Sequence, residues 1–259
     1  MPFPPGPGVA VTRGSGILPI VSKPLVVAHR GVATGAAENT IDAFTNAIAV
    51  GADMIEFDVR RTRDGELIVF HDPRVGAAVI GDLTRDEIAS AKGVRPPLFA
   101  EVLAECAGKI RLDVELKEDG YVPAAMALLQ AALDRAGADV AQQVVTSFLP
   151  AVVAQAKDAF PEVRTGLLVG TDGPFYQVRE HYRQLFPVGL ARQVRADYLA
   201  PNYKLASYGV VARAASAGLP CLLWTVNADA DIRRFATDPR VAAIITDQTA
   251  RALEIVTAG

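Results

Sequence analysis

Cysteine is scarce in this 259-residue sequence, which contains two. Cys106 and Cys221 lie too far apart for the C-x-x-C spacing of a metal or redox motif, and two cysteines do not make a dense disulfide framework. We therefore expect both to be buried thiols.

Long apolar runs are also missing. No stretch reaches the ~18 apolar residues that a membrane helix needs. Proline and glycine interrupt the N-terminal residues too often for the apolar stretch of a signal peptide. We therefore expect no transmembrane segment, a flexible leader over residues 1–22 and a cytoplasmic protein.

A basic surface stripe is a third absence. The sequence has 26 Lys and Arg against 29 Asp and Glu, and the basic residues are scattered along it. Nucleic-acid binders concentrate positive charge on one face, so we expect no nucleic-acid partner. The sequence also has no G-x-G-x-x-G after its first apolar run and no G-x-x-x-x-G-K-[ST] anywhere, which argues against the usual nucleotide-binding sites of open α/β sheets.

What the sequence does contain is an alternation of short apolar runs with alanine-rich stretches of helical period. This pattern is typical of βα units around a parallel sheet. Eight such units predict a (β/α)8 TIM barrel, a single domain over residues 23–259. The predicted strands are 25–29, 54–59, 111–117, 143–148, 164–169, 197–202, 220–226 and 241–246. A doubly wound open sheet is the alternative fold.

A further apolar run, residues 66–70, comes a few residues after the second predicted strand. The Asp64-Gly65 pair between them is a hairpin signal. We therefore predict a small insertion in the second βα loop.

Acidic residues concentrate where the predicted strands end. Glu56 and Asp58 are two residues apart on one strand, so both side chains project from the same face, and Glu115 and Lys117 repeat that arrangement. Carboxylates that converge in a barrel mouth repel one another unless a cation joins them, and oxygen ligands favour Mg2+ or Ca2+. We therefore predict a divalent-cation site at Glu56, Asp58 and Glu115. Structural ion pairs with nearby arginines or Lys117 are the alternative.

Two of the three histidines, His29 and His71, directly follow apolar runs at this end of the strands. A neutral and a protonated imidazole on opposite sides of a reacting centre act as base and acid near neutral pH, so we predict that both are catalytic. For either histidine alone, a structural hydrogen bond would be an equal explanation. The third histidine, His181, is expected at the surface.

The same region carries fixed positive charge and an aromatic ring. Arg30 and Lys117 suit a phosphate ester as substrate, because arginine binds oxygens bidentately and lysine acts as a point charge; neutralising the carboxylates is the alternative. Trp224, at the end of the seventh predicted strand, either forms a wall of the substrate site or belongs to the core.

Taken together, these residues resemble the glycerophosphodiester phosphodiesterase family in a fixed order across residues 25–250. The matching motifs are His29-Arg30-Gly31, Glu38-Asn39-Thr40, Gly51-Ala52-Asp53, Glu56-x-Asp58-Val59, Thr62-x-Asp64-Gly65, His71-Asp72, Glu115-Leu116-Lys117, Ser147-Phe148, Trp224-Thr225-Val226-Asn227 and Thr246-Asp247. The resemblance implies a TIM barrel that hydrolyses small glycerophosphodiesters to an alcohol and glycerol 3-phosphate with a divalent cation.

The resemblance also implies roles for single residues. Glu56, Asp58 and Glu115 would hold the cation, His29 and His71 would act as acid and base in an order that stays open, and Arg30 and Lys117 would contact the phosphate. The glycerol 2-hydroxyl would attack phosphorus first and give a cyclic phosphate that water opens. Apart from the resemblance, we infer from their place in the loop after the first strand that Glu38 and Asn39 orient these groups.

Three departures from the family pattern stand out. Ala37 replaces the usual proline before Glu-Asn-Thr, and Asp247-Gln248-Thr249 replaces the common Asp-x-Pro ending. The segment that follows His71-Asp72-Pro73 is short and atypical, which predicts an abbreviated cap over the leaving group.

Two further readings are compatible with the same residues. An abbreviated cap would suit a lysophospholipid, as in a lysophospholipase D or a sphingomyelinase D-like enzyme, and a barrel of this kind could also bind a phosphate ligand without turnover. A metal-free sugar hydrolase with two carboxylates explains neither the paired histidines nor Arg30 and Lys117. The alcohol released, the cation and the oligomeric state stay open.

Overall fold

Eight parallel strands close into a barrel in the computed structural model, which describes residues 23–33, 35, 37–170 and 186–258. Strand β1 pairs with β2 on one side and with the last strand, β11, on the other, which closes the ring. The barrel strands are β1 (Leu25–His29), β2 (Met54–Arg61), β6 (Arg111–Leu116), β7 (Val144–Ser147), β8 (Arg164–Val169), β9 (Tyr198–Pro201), β10 (Cys221–Leu223) and β11 (Val241–Thr246). The predicted TIM barrel is confirmed, with each strand within a few residues of its predicted bounds.

A helix follows every barrel strand in the described part of the chain. The helices are α1 (Ile41–Ala49), α2 (Arg85–Lys92), α3 (Phe99–Cys106), α4 (Val122–Ala136), α5 (Pro150–Ala159), α6 (Val188–Gln193), α7 (Val210–Ser216), α8 (Asp229–Ala236) and α9 (Thr249–Ala258). In the described ranges, none of the helices has both the length and the apolar character required to cross a membrane.

The insertion after β2 is larger than the sequence predicts. Strand β3 (Leu67–Val69) pairs antiparallel with the end of β2, as the Asp-Gly signal indicates. It is followed by a two-stranded hairpin of β4 (Arg74–Val75) and β5 (Ala78–Val79), a 3-10 turn over Ile80–Asp82, and α2. Helix α2 begins with a capping box, in which Thr84 and Glu87 satisfy each other's backbone N–H groups.

The alternation of side chains along β2 explains how the barrel separates its core from its site. Phe57 points outward and packs with Phe44 and Phe99, at ring-centroid distances of 5.5 and 6.0 Å. Met54 and Glu56 belong to the opposite, inward face. Met54 joins an apolar cluster with residues of the other strands, and Glu56 follows it toward the carboxyl end, where the interior becomes polar.

Both cysteines are buried and free, as predicted. Burial raises the pKa of the Cys106 thiol and of the Cys221 thiol to about 12, so both are inert near neutral pH. The predicted leader over 1–22 and His181 lie outside the described residues, and the division into that leader and a domain over 23–259 stays a prediction.

Candidate active site

Three carboxylates converge at the carboxyl end of the barrel. Glu56 and Asp58 come from β2 and Glu115 from the neighbouring β6, where Asp58 and Glu115 are register partners. One oxygen from each lies within 4.8 Å of the others. The three residues are 5%, 1% and 8% exposed, respectively, so the cluster is buried among like charges.

Burial and the neighbouring charges shift the pKa values of all three carboxyl groups. Burial, together with the charges of Asp58 and Glu115, raises the pKa of Glu56 well above its usual value. Burial likewise raises the pKa of Glu115 to about 7, although Lys117 opposes the shift. Burial would raise the pKa of Asp58 too, but Lys117 and Arg30 outweigh it and lower that pKa to about 2. The cluster therefore holds more carboxylates than its two cations can compensate.

The residues present fit a hard divalent cation. Every acidic donor in the cluster is a carboxylate oxygen, the ligand type that Mg2+ and Ca2+ prefer. Beside them, Asn39 donates from Nδ2 to Asp58 Oδ2 at 2.8 Å, while its buried Oδ1 has no hydrogen-bond partner among the described residues. A cation would relieve the repulsion between the carboxylates that raises their pKa values.

The two predicted phosphate-binding residues contact this cluster directly. Lys117 Nζ lies 3.0 Å from Asp58 Oδ1 and 2.5 Å from Glu115 Oε1. Arg30 Nε lies 3.4 Å from Asp58 Oδ2, and Arg30 Nη1 donates to Glu38 Oε1 at 2.9 Å. Both residues thus form the ion pairs that were the alternative interpretation, and both line the same cavity as Glu56 and Glu115.

A sharp turn after β1 explains why the strand ends in His29-Arg30-Gly31. Arg30 has a φ of 55° and Gly31 a φ of 84°, so two successive residues adopt the left-handed conformation. A Cβ on Gly31 would lie 2.7 Å from the backbone of Ala43 in α1, so glycine is required there. The chain therefore turns away at once and leaves the His29 and Arg30 side chains at the mouth.

His29 is held by the residue that directly follows the last strand, Asp247. His29 Nδ1 lies 2.6 Å from Asp247 Oδ1, and Asn227 Nδ2 donates to Asp247 Oδ2 at 2.6 Å. Burial works against the shift, but the hydrogen bond from His29 lowers the pKa of Asp247. The ionised Asp247 therefore accepts a hydrogen bond from the Nδ1–H group of His29. His29 Nε2, which lies 4.0 Å from Glu56 Oε2, is then available to interact with a substrate.

His71, which lies just after β3, has a similar arrangement. Its Nδ1 donates to Asp72 Oδ1 at 3.0 Å, and Asp72 Oδ2 is 3.4 Å from Lys92 Nζ. Arg60 Nε donates to the backbone oxygen of His71 at 2.9 Å and fixes the main chain. Burial lowers the pKa of His71.

A cavity of about 290 Å3 joins these groups. His29, His71, Glu56 and Glu115 line it, together with the cationic and aromatic residues predicted for substrate binding. Trp224 packs edge-on against Phe148, with ring centroids 5.4 Å apart, and donates from Nε1 to the Ala200 oxygen at 2.7 Å. One cavity therefore brings together seven of the eight residues predicted for metal binding, catalysis and substrate binding. The eighth, Asp58, contacts Lys117 and Asn39 instead of lining the cavity.

Comparison with known proteins identifies the family. The profile of the glycerophosphoryl diester phosphodiesterase family matches residues 29–251. The chain belongs to this family. It is 31% identical over 255 residues to the glycerophosphodiester phosphodiesterase of Caldanaerobacter subterraneus subsp. tengcongensis, a match that covers 92% of this chain and 99% of the relative. The resemblance seen in the sequence and the enzyme class, phosphoric diester hydrolase, are confirmed.

Two other members of the family match over different extents. YhdW of Bacillus subtilis is 38% identical over 107 residues, which cover 36% of this chain and 44% of YhdW. The crystal structure of a glycerophosphodiester phosphodiesterase from Parabacteroides distasonis is 23% identical, covers 92% of this chain and 98% of its own, and superimposes with a TM-score of 0.72. The latter similarity confirms the fold.

Two acidic residues were missed as site residues by the sequence analysis. Asp247 is named there only in the Thr246-Asp247 motif and in the departure from the family's Asp-x-Pro ending. Asp113 was not noticed at all, although it precedes Glu115 by two residues and therefore shares its face. Asp113 lines the cavity and accepts a hydrogen bond from Thr146 Oγ1 at 2.9 Å. Burial raises its pKa to about 7.

Proposed function

We propose that the protein hydrolyses glycerophosphodiesters to an alcohol and sn-glycerol 3-phosphate, with a divalent cation and with two histidines as acid and base. One observation carries this proposal: a single cavity is lined by Glu56 and Glu115 of the buried carboxylate cluster and by both His29 and His71. The full-length relative from Caldanaerobacter, which bears the name of this activity, supports it.

The binding roles follow from charge. Glu56, Asp58 and Glu115 would hold the cation, which when bound supplies positive charge against the phosphoryl oxygens. Arg30 and Lys117 add fixed charge beside it, and the substrate phosphate would take up the donors that now contact Asp58, Glu38 and Glu115. Glu38 and Asn39 have the contacts that an orienting role requires, because they bind Arg30 and Asp58.

The chemistry would proceed in two proton-balanced steps. One histidine removes the proton of the glycerol 2-hydroxyl as its oxygen bonds to phosphorus, and the other donates a proton to the departing alkoxide as the old P–O bond breaks. Water then opens the cyclic phosphate with the two histidines in reversed roles. Asp247 keeps the His29 ring oriented throughout, as Asp72 does for His71.

A lysophospholipid is the second candidate substrate, and one observation favours it. Phe148 and Leu149 are 40% and 39% exposed, although both are large and apolar. Phe148 lies against Trp224 in the cavity wall, so an acyl chain on the glycerol would have an apolar surface beside the mouth.

The test is release of sn-glycerol 3-phosphate from glycerophosphodiesters and from lysophospholipids, with Mg2+, with Ca2+ and with EDTA. We expect EDTA and Glu56→Gln to abolish release, and His29→Gln to lower kcat about 10²- to 10⁴-fold. Glu105→Gln, which removes a surface carboxylate that pairs with Lys109, is the matched control and should leave kcat unchanged.

The same assay separates the alternatives. A higher kcat/KM for the lysophospholipid that Phe148→Ser lowers selectively would favour the second candidate. Cation binding and glycerol 3-phosphate binding without turnover of any substrate would mean a non-catalytic barrel. Release that is insensitive to EDTA would contradict the role of the carboxylate cluster.

A further inference from the structure

A second cavity, of about 200 Å3, lies beside the first. Its walls come from the loop after β1, from the segment that follows β3, and from the segment that follows α2. The lining includes Glu38, Phe70, His71, Asp72, Lys92 and Val94. His71 lines both cavities, so one imidazole ring forms part of the wall between them.

This second cavity is coupled to the phosphate-binding groups through its near wall. Glu38 receives a hydrogen bond from Arg30 at 2.9 Å, and Asn39, also in the wall, donates to Asp58 at 2.8 Å. A phosphate held by Arg30 and by a cation at the carboxylate cluster would therefore lie one side chain away. One of its two ester substituents can extend into each cavity.

The distribution of reactive groups decides which substituent goes where. The smaller cavity is lined by none of the three carboxylates of the cluster, and by neither Lys117 nor His29. The glycerol whose 2-hydroxyl attacks phosphorus must stay among those groups, in the larger cavity. The group in the smaller cavity only departs, with His71 next to its bridging oxygen.

The charges of the smaller cavity disfavour a cationic headgroup. Lys92 Nζ lies 5.4 Å from the centroid of the Phe70 ring, so a cation already covers the aromatic face that a choline or ethanolamine group would use. The carboxylates are engaged as well, Glu38 with Arg30 and Asp72 with His71 and Lys92. A cationic headgroup would meet the Lys92 ammonium without a free counter-charge.

An anionic headgroup fits no better, because Glu38 and Asp72 would repel it and the Lys92 ammonium is already paired with Asp72. Hydroxyl groups suit this lining, since each can donate to a carboxylate oxygen and accept from an ammonium. At about 30 Å3 per water molecule, 200 Å3 has the room of roughly six or seven waters, which suits a small alcohol.

We infer that this cavity, lined by Phe70, Lys92 and Val94, is the subsite for the departing alcohol and selects an uncharged polyol over a cationic amino alcohol. The inference rests on the proposed function. It makes Lys92 a specificity-determining residue that takes no part in the chemistry.

The experiment compares kcat/KM for glycerophosphoglycerol and glycerophosphoinositol with kcat/KM for glycerophosphocholine and glycerophosphoethanolamine. The variants are Lys92→Met and, as matched control, Lys109→Met, which removes an exposed ion-paired lysine that lines neither cavity. Because all four substrates use His71 and Asp72, a ratio of kcat/KM values cancels any effect of Lys92 on that histidine. Val94→Trp, which would fill the cavity, is a second and independent variant.

We expect the wild type to prefer the polyol substrates by about tenfold or more. Lys92→Met should narrow that ratio several-fold by lowering KM for the cationic substrates, and Lys109→Met should leave it unchanged. Val94→Trp should raise KM for the polyol substrates and leave inhibition by glycerol 3-phosphate unaltered. A wild type that prefers glycerophosphocholine, or a ratio that Lys92→Met does not move, would overturn the subsite. Silence on all four diesters would instead refute the proposed function.

Discussion

At the amino-terminal rim of the barrel, Asp197 accepts hydrogen bonds from Lys157 Nζ at 2.8 Å and from the backbone of Thr165 at 2.9 Å. At the carboxyl-terminal rim, Glu56 and Glu115 lie near each other and near Asp58. Both rims therefore use acidic residues at strand ends. The acid at the first rim is matched by donors, whereas those at the second face like charges.

The difference separates stability from function in one fold. Asp197 also lies 3.3 Å from Arg164 Nη1, so its charge is compensated and its oxygens bind the start of β8. In contrast, burial raises the pKa of Glu115 to about 7, a shift that costs folding free energy and that a bound cation would remove. A carboxylate at a barrel strand end is thus a functional candidate when its partners do not satisfy it, and a structural one when they do.

Among the substitutions that compare the two rims, the largest effect is expected for Asp247→Asn at the carboxyl-terminal rim. The amide removes the charged acceptor that orients His29 through its Nδ1–H, so we expect kcat to fall about 10²-fold. KM and the free energy of unfolding should change little, since this side chain is half exposed. Steady-state kinetics and urea unfolding measure both quantities.

Asp247→Glu provides the informative companion. It restores a carboxylate near His29 and should recover part of kcat, which a merely structural role would not predict. If Asp247→Asn lowered the free energy of unfolding and left kcat unchanged, the assignment of function to the carboxyl-terminal rim and of stability to the amino-terminal rim would be contradicted.

The same type of substitution at the other rim, Asp197→Asn, should lower stability and leave kcat unchanged. It weakens the contacts with Lys157 and Arg164 and leaves an amide beside two cations. We expect the free energy of unfolding to fall by about 1.5 kcal/mol, as for the loss of a charged hydrogen bond. Urea unfolding gives this value, and kcat measured well below the transition should match the wild type.

Features of the fold and of the candidate site could be predicted from the sequence where they depend on residues that are close together in the chain. The eight strands follow from local periodicity, and the pairs Glu56–Asp58 and Glu115–Lys117 follow from the two-residue repeat of a strand. The same two-residue repeat also places Asp113 on the face of Glu115, so Asp113 could have been predicted as a site residue. The insertion after β2 was underestimated because β4 and β5 have two residues each, too few for any period.

The contact of Asp247 with His29 could be predicted only from the closed topology of the barrel. Asp247 is 218 residues from His29, and the two meet because β1 pairs with β11, with Ala28 opposite Thr246. Once a barrel is predicted, its first and last strands must be neighbours, so polar residues after the last strand could have been set beside His29. The contacts of Lys92 with Phe70 and Asp72 have no such rule, because α2 belongs to the irregular insertion.

The free energy of unfolding should itself depend on pH and on the bound cation. In Glu115 and Asp113 the folded pKa is about 7, well above the usual values near 4.5 and 3.8, and the pKa of Glu56 is raised as well. These groups keep their protons in the folded protein at a pH where the unfolded chain has lost them. Their stabilising contribution is therefore fully present below about pH 4 and is lost as the pH rises through about 7.

In EDTA we therefore expect the Tm to fall between pH 5 and pH 8, together with a loss of a few kcal/mol in the free energy of unfolding. Excess Mg2+ or Ca2+ should raise the Tm more at pH 8 than at pH 5, because the ligands must be deprotonated before a cation binds. Glu56→Gln removes one of the buried carboxylates and should flatten both dependences, whereas Glu105→Gln should leave them as they are. Equal cation-induced shifts at the two pH values would mean that the ion binds elsewhere, and the contrast between the two rims would then lose its electrostatic basis.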